Sequence, residues 1–288
     1  MTKELIYMAR KPDIFDEIIL YLKENQNADF SLTEETRNAL FSAPPQKTIP
    51  VQQTAMPTSP APAPAVSMPN MPPPVIPVPV ATPAAAPAPQ LRPFADVSNM
   101  DWDTLRQTAM QCGGCELCKT RNSVVFGEGP LNARLMFIGE GPGADEDAQG
   151  RPFVGKAGEL LTRMITAMGF DRWNEVYIAN IVKCRPPGNR NPMPAEADIC
   201  KQYLLRQIEL LKPEVIVLLG AVPLLYLFNL KGVTKLRGQW LDWNGIPVMP
   251  TLHPAFLLRD PRQKIPVWQD LQQVMKVFGK TPPPPRKA

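Results

Sequence analysis

The chain has 288 residues, 44% of them hydrophobic and 20% charged, with 36 prolines, five cysteines and a single histidine. That much proline excludes a chain that is compact throughout. One histidine excludes any metal site built on two or three imidazoles and leaves soft-metal ligation to the cysteines. The net charge of +4 is unevenly spread, with five basic against eight acidic residues in 1–43 and 24 against 18 from Asp101 onward. The second part can therefore accept a polyanionic partner, although its charge does not require one.

The first 25 residues lack the apolar stretch of a secretion signal, and no apolar run approaches the roughly 18 residues that cross a bilayer. We expect no membrane association, a cytoplasmic location and reduced thiols. Ile14, Ile18 and Leu22 repeat every four residues with Phe15 and Ile19 beside them, which predicts an amphipathic helix beginning near Pro12 and Asp13. Ser31-Leu-Thr-Glu34 reads as the capping box of a second helix. Residues 1–43 are thus a short helical head, expected to dock on the main domain or on a protein partner. Residues 44–93 hold 17 prolines and no glycine, the composition of an extended linker. Residues 94–280 form the globular domain and 281–288 a disordered tail.

That domain opens with Cys112, Cys115 and Cys118 in a Cys-x-x-Cys-x-x-Cys run, while Cys184 and Cys200 follow far downstream. Clustered thiols in a reducing compartment point to a metal. Four thiolates suit tetrahedral zinc or an iron–sulfur cluster, and one cysteine is surplus to either. The second pair lacks the paired knuckle of a zinc ribbon, so the spacing favours a single [4Fe–4S] cluster, with zinc as the alternative.

Apolar runs at 134–139, 176–182, 214–220 and 245–249 read as buried strands, and helical patterns occupy 156–169, 195–211, 221–229 and 267–278. The alternation predicts an α/β domain of three α/β/α layers around a parallel sheet. Ligands in such folds bind beyond the carboxyl ends of the strands. The unusual residues fall there: Gly139-Glu-Gly-Pro-Gly143 after the first strand, Asn180 near the end of the second and His253 after the last. The glycine loop is neither a P-loop nor a dinucleotide fingerprint, and it lets backbone approach a flat ligand closely.

Five ordered segments carry a more specific likeness: Phe126-Gly-Glu-Gly129, Gly139-Glu-Gly-Pro-Gly143, Gly150-Arg-Pro-Phe-Val-Gly155, Asn180-Ile-Val-Lys-Cys-Arg-Pro-Pro187 and His253-Pro-Ala255. From about Cys112 to Gly279 the chain resembles the family 4, iron–sulfur type of uracil-DNA glycosylase; the head and linker fall outside the resemblance. The resemblance implies a DNA repair enzyme that flips uracil from single- or double-stranded DNA and hydrolyses its N-glycosidic bond. A binding module of the same fold that does not cleave is the alternative. The resemblance further implies that Cys112, Cys115, Cys184 and Cys200 hold the cluster and leave Cys118 over, with Cys118 replacing Cys112 as the variant assignment.

On the same basis Phe153 stacks on uracil and Asn180 reads its imide edge, donating to O4 and accepting from N3–H, a pattern that cytosine reverses. Gly139, Glu140, Gly141 and His253 complete the substrate pocket, with the amides near Glu140 and Gly141 and the His253 ring directed at O2 of the departing base. Glu140 and Glu146 are the carboxylates near the attacking water; either a group such as Glu146 or Asn180 positions it or a strongly dissociative cleavage needs little base assistance, and we expect that no single carboxylate is indispensable. Lys183, Arg185, Arg190 and Arg259 are expected to face DNA phosphates, and Leu257 or Leu258 to fill the gap left by the flipped base. A monomer in the bacterial nucleoid is expected.

Overall fold

The computed structural model describes residues 94–281 together with Phe15 and Asp16. The second predicted head helix, the linker and residues 282–288 lie outside the described residues, as does all of the first helix except Phe15 and Asp16. The domain runs through α1 (Trp102–Met110), β1 (Leu135–Gly139), α2 (Ala144–Gln149), α3 (Lys156–Ala167), β2 (Val176–Asn180), α4 (Pro194–Leu211) and β3 (Val215–Leu219). It continues through α5 (Ala221–Phe228), α6 (Val233–Leu236), β4 (Leu241–Trp243), β5 (Ile246–Thr251), α7 (Pro254–Arg259) and α8 (Lys264–Val277). Among the described residues no helix is long and apolar enough to cross a membrane.

The five strands are ordered β2-β1-β3-β5-β4. β2, β1, β3 and β5 are parallel, and β4 pairs antiparallel with β5 at one edge. β1, β2 and β3 are buried along their whole length, which explains why they read as continuous apolar runs rather than as alternation. Successive side chains still divide between the faces. Leu135, Phe137, Val176 and Ile178 join residues of α3 and α8 in one core. Met136, Ile138, Tyr177 and Ala179 join residues of α1, α4 and α5 in the other. Two cores sharing one sheet make the three-layer domain expected from the sequence.

The structure adds five elements to that expectation: α1, α2, α6, β4 and α7. α1 begins at Asp101, whose carboxylate accepts the Thr104 N–H at 2.9 Å, a side-chain cap on a helix. The acidic run after Gly143 is the helix α2; Asp145, Glu146 and Asp147 occupy its first turn, where negative charge meets the positive end of the helix dipole. β4 was missed because three residues carry little periodicity. Asn244 and Gly245, both at positive φ, form the two-residue turn into β5. Gly245 is therefore turn rather than strand, and the strand continues to Thr251, with Leu252 alone between it and His253.

Gly158 lies in α3 where a Cβ would overlap the Phe153 carbonyl. A Gly→Ala change inside a helix ordinarily stabilises by about 0.5–1 kcal/mol. Here we expect Gly158→Ala to destabilise by about 1–3 kcal/mol through overpacking, read as a lowered thermal midpoint; an unchanged or raised midpoint would refute the close approach.

Candidate active site and cysteine pocket

Three parallel strands deliver their carboxyl ends to one place. Gly139 ends β1, its register partner Asn180 ends β2, and His253 follows β5. A Cβ on Gly139 would collide with Asn180 Oδ1 and stand 2.7 Å from Phe153 Cζ, so the absent side chain is what admits both groups. Asn180 is 1% exposed, and its Oδ1 has no hydrogen-bond partner. A buried carbonyl oxygen without a donor costs about 1–3 kcal/mol, which is tolerable where a ligand supplies the missing N–H. Phe153 adopts φ 53°, and its ring lies 5.6 Å from the His253 ring at 32°. On the other side of His253, Gly220 at φ 95° would bring a Cβ within 3.1 Å of the His253 Cβ.

His253 is the N-cap of α7, and its Nδ1 accepts the Ala255 N–H at 3.1 Å. With that lone pair engaged, the neutral ring carries its proton on Nε2 and can donate from there. Burial, aided by the nearby charge of Arg259, pushes its pKa down to about 4, so the ring is neutral at physiological pH. Burial also raises the pKa of Glu140. Glu146 is tied into the loop instead: its carboxylate accepts the N–H groups of Gly143 at 3.0 Å, Val154 at 2.9 Å and Gly155 at 3.0 Å. It bridges the glycine loop to the segment that carries Phe153.

Two supports escaped the sequence reading. Arg172, 4% exposed, donates to the carbonyls of Pro152 at 2.8 Å and Phe153 at 2.9 Å and to the Thr162 hydroxyl at 2.7 Å. It fixes the strained Phe153 backbone from beneath. The Thr251 hydroxyl donates at 2.6 Å to buried Asp270, which also pairs with Arg237 at 2.7 Å, anchoring the strand end from which His253 hangs. Arg172 and Asp270 sit in no recognisable motif, and only burial with satisfied hydrogen bonds reveals them.

All five cysteines line one pocket with Arg121, Lys183 and Tyr203. Among the described residues no three ligating groups converge closely enough to hold a single metal ion. Sulfur atoms around the pocket receive N–H donors: Arg121 to Cys184 at 3.1 Å, the Lys183 amide to Cys200 at 3.2 Å and the Gly114 amide to Cys112 at 3.5 Å. Burial pushes the Cys184 thiol up to about 11 and Cys200 higher still. Thiolates here therefore need a cationic centre in the pocket to be stable.

The basic residues separate into groups. Lys183, expected at the DNA surface, is 1% exposed; its ammonium donates to the Asn180 carbonyl at 3.0 Å and to Gln207 Oε1 at 2.7 Å, which keeps it from facing phosphates. Arg190 forms a bidentate pair with Glu196 at 2.9 and 2.7 Å and shapes the loop before α4. Arg185 is partly exposed and bonds Asn189 at 2.8 Å. Arg259 is exposed at the end of α7. Leu257 is fully buried and Leu258 is 40% exposed, so only Leu258 is available to enter a duplex.

Residues 126–272 match the family described as the uracil DNA glycosylase superfamily. A type-4 uracil-DNA glycosylase of Thermotoga maritima is 44% identical over 183 residues, which span 62% of this chain and 95% of that protein. The type-4 uracil-DNA glycosylase of Saccharolobus solfataricus is 41% identical over 190 residues, 62% of this chain and 88% of that protein. That of Archaeoglobus fulgidus is 38% identical over 190 residues, 63% and 95% respectively. With the strand-end pocket and the cysteine pocket in place, these matches show that the chain belongs to the uracil-DNA glycosylase superfamily and to its type-4 branch.

Proposed function

We propose that the chain excises uracil from DNA by hydrolysing the N-glycosidic bond, leaving an abasic site for base excision repair. The observation that carries this reading is the buried, unpartnered Oδ1 of Asn180 beside Gly139 and Phe153. An imide N3–H of a flipped base satisfies that acceptor while the amide nitrogen donates to O4. Cytosine presents the opposite pattern at both positions and leaves buried groups unpaired, the kind of mismatch that discriminates strongly. Phe153 covers one face of the base, held in place by Arg172 and Glu146.

As the bond breaks, negative charge grows on the uracil, chiefly at O2 and N1. His253, neutral and protonated on Nε2, stabilises that charge as a hydrogen-bond donor, together with the backbone amides near Glu140 and Gly141. An imidazolium is not required, and burial disfavours one. Glu146 already serves three amides, so its chief role is to hold the loops. Glu140 borders the pocket and is the carboxylate left to orient water. Arg185 and Arg259 face phosphates, and Leu258 fills the gap in the stack. The chain acts as a monomer on nucleoid DNA.

The cysteine pocket fits an iron–sulfur cluster: Cys112, Cys115, Cys184 and Cys200 would hold it, with Cys118 beside them. Its N–H donors to sulfur and the wide arrangement of its thiols favour a cluster over a single zinc ion. When bound, the cluster would supply structural cross-linking between the segment at 112–118 and the 184–200 loop, since base hydrolysis moves no electrons.

The reading is tested by incubating brown, cluster-loaded protein with uracil-containing single- and double-stranded oligonucleotides and assaying alkali-labile abasic sites. Failure on both would overturn it. His253→Ala is expected to lose roughly 10²–10³ in rate, as for removal of one oxyanion donor, while Glu146→Gln keeps a larger share; the reverse ranking would refute the assignment. Because the active ring is neutral, kcat/KM governed by His253 should stay level as pH falls through 6 and drop only near about 4. An acid limb centred near 6.5 would show that the ring is not buried as described. Arg259→Gln should flatten the slope of log affinity against log salt by about 0.9, and an unchanged slope would remove Arg259 from the phosphate contacts.

A further inference from the structure

We infer that the head carrying Phe15 and Asp16 is a tethered clamp whose partner is this chain's own catalytic domain, with these two residues seated on the face formed by α3 and α8. The inference is independent of uracil excision. Phe15 is fully buried in the same core as Leu161 and Met164 of α3, Leu257 of α7 and Trp268 of α8. Its ring meets Trp268 edge to face, with centroids 6.1 Å apart and planes at 84°. The next residue, Asp16, is 8% exposed and accepts from Arg163 of α3 at 3.1 and 3.3 Å. An apolar anchor beside a shielded ion pair defines both position and orientation, because a buried charge without its partner is strongly disfavoured.

The sequence supports the same occupant. Phe15 belongs to the apolar set that includes Ile14, Ile18, Ile19 and Leu22, so the residue in the core is the kind that an amphipathic helix would bury. The 77 residues between Asp16 and Phe94 include the proline-rich stretch. A tether makes docking intramolecular, so a small anchor can stay seated with a smaller interface than a free partner would need. The Thermotoga maritima relative is 95% covered by a match that takes in only 62% of this chain, which leaves no room there for a counterpart of 1–93. That relative thus lacks a counterpart of the clamp. The clamp also touches function, since α7, which His253 caps, packs on α3 and sends Leu257 into the anchored core.

The test is hydrogen exchange on the full-length protein and on Phe15→Ala, Asp16→Arg, Arg163→Asp and the doubly swapped Asp16→Arg/Arg163→Asp protein. Removing a buried phenyl should weaken docking by roughly 10- to 100-fold, seen as faster exchange across 156–167 and 264–277 and, more weakly, 254–259. The two single charge reversals should do the same, and the double swap should restore protection, a rescue that a general loss of stability would not produce. Far-ultraviolet dichroism and cluster absorbance report whether each variant remains folded. Unchanged exchange in folded Phe15→Ala and Asp16→Arg proteins would overturn the proposal. So would protection that rises with protein concentration together with a sedimenting dimer, because the head would then belong to a second copy.

Discussion

The site depends on a close approach that only a glycine permits. At Gly139 the chain leaves β1 with no side chain, and into the space come the Asn180 carboxamide from β2 and the edge of the Phe153 ring. Neither group reaches the pocket if a methyl occupies that position. The parallel register makes the convergence automatic, since Gly139 and Asn180 are paired residues at the last rung of adjacent strands. The sheet thus brings Asn180 and Gly139 to one spot without any long-range loop.

The remaining groups are held by hydrogen bonds arranged around this approach. Phe153 sits at positive φ, an arrangement that costs on the order of 1–3 kcal/mol for a bulky residue and persists only when its surroundings enforce it. Arg172 enforces it from one side through two carbonyls, and Glu146 from the other through the amides of Val154 and Gly155. The His253 ring is fixed by capping α7 and by a strand end that Thr251, Asp270 and Arg237 secure. The pocket is therefore organised before any ligand enters, as electrostatic stabilisation of a developing anion requires.

Much of this was legible in the sequence, for identifiable reasons. Long buried strands and helices of 12 or more residues declare themselves through continuous apolar runs and 3.6-residue periodicity, so β1, β2, β3, α3 and α4 were placed within a few residues of their ends. Gly139, Phe153, Asn180 and His253 stood in motifs and do converge. What was not legible is of two kinds. β4 is too short to show a period, and the short α2 shows none either because its charges suit a helix N-terminus rather than an amphipathic face. Burial of charge was the second difficulty. Lys183 and Arg190 are basic residues in a basic segment, and nothing in their spacing distinguishes one that faces solvent from one whose ammonium or guanidinium is consumed internally. Arg172 shows the converse, a residue outside every motif on which the Phe153 loop depends.

Lys183 also connects the two halves of the molecule. Its amide donates to Cys200 in the cysteine pocket, while its ammonium holds the carbonyl of Asn180. The cysteine pocket belongs to the core on one face of the sheet, and Phe153, Leu257 and Trp268 belong to the core on the other. Asn180 lies at the seam, its backbone gripped from the cysteine side and its side chain beside Gly139. A positive group fully withdrawn from water is costly unless its donors are satisfied, and burial pushes its pKa down to about 7. The fold accepts that cost at the point where the cysteine pocket and the end of β2 meet.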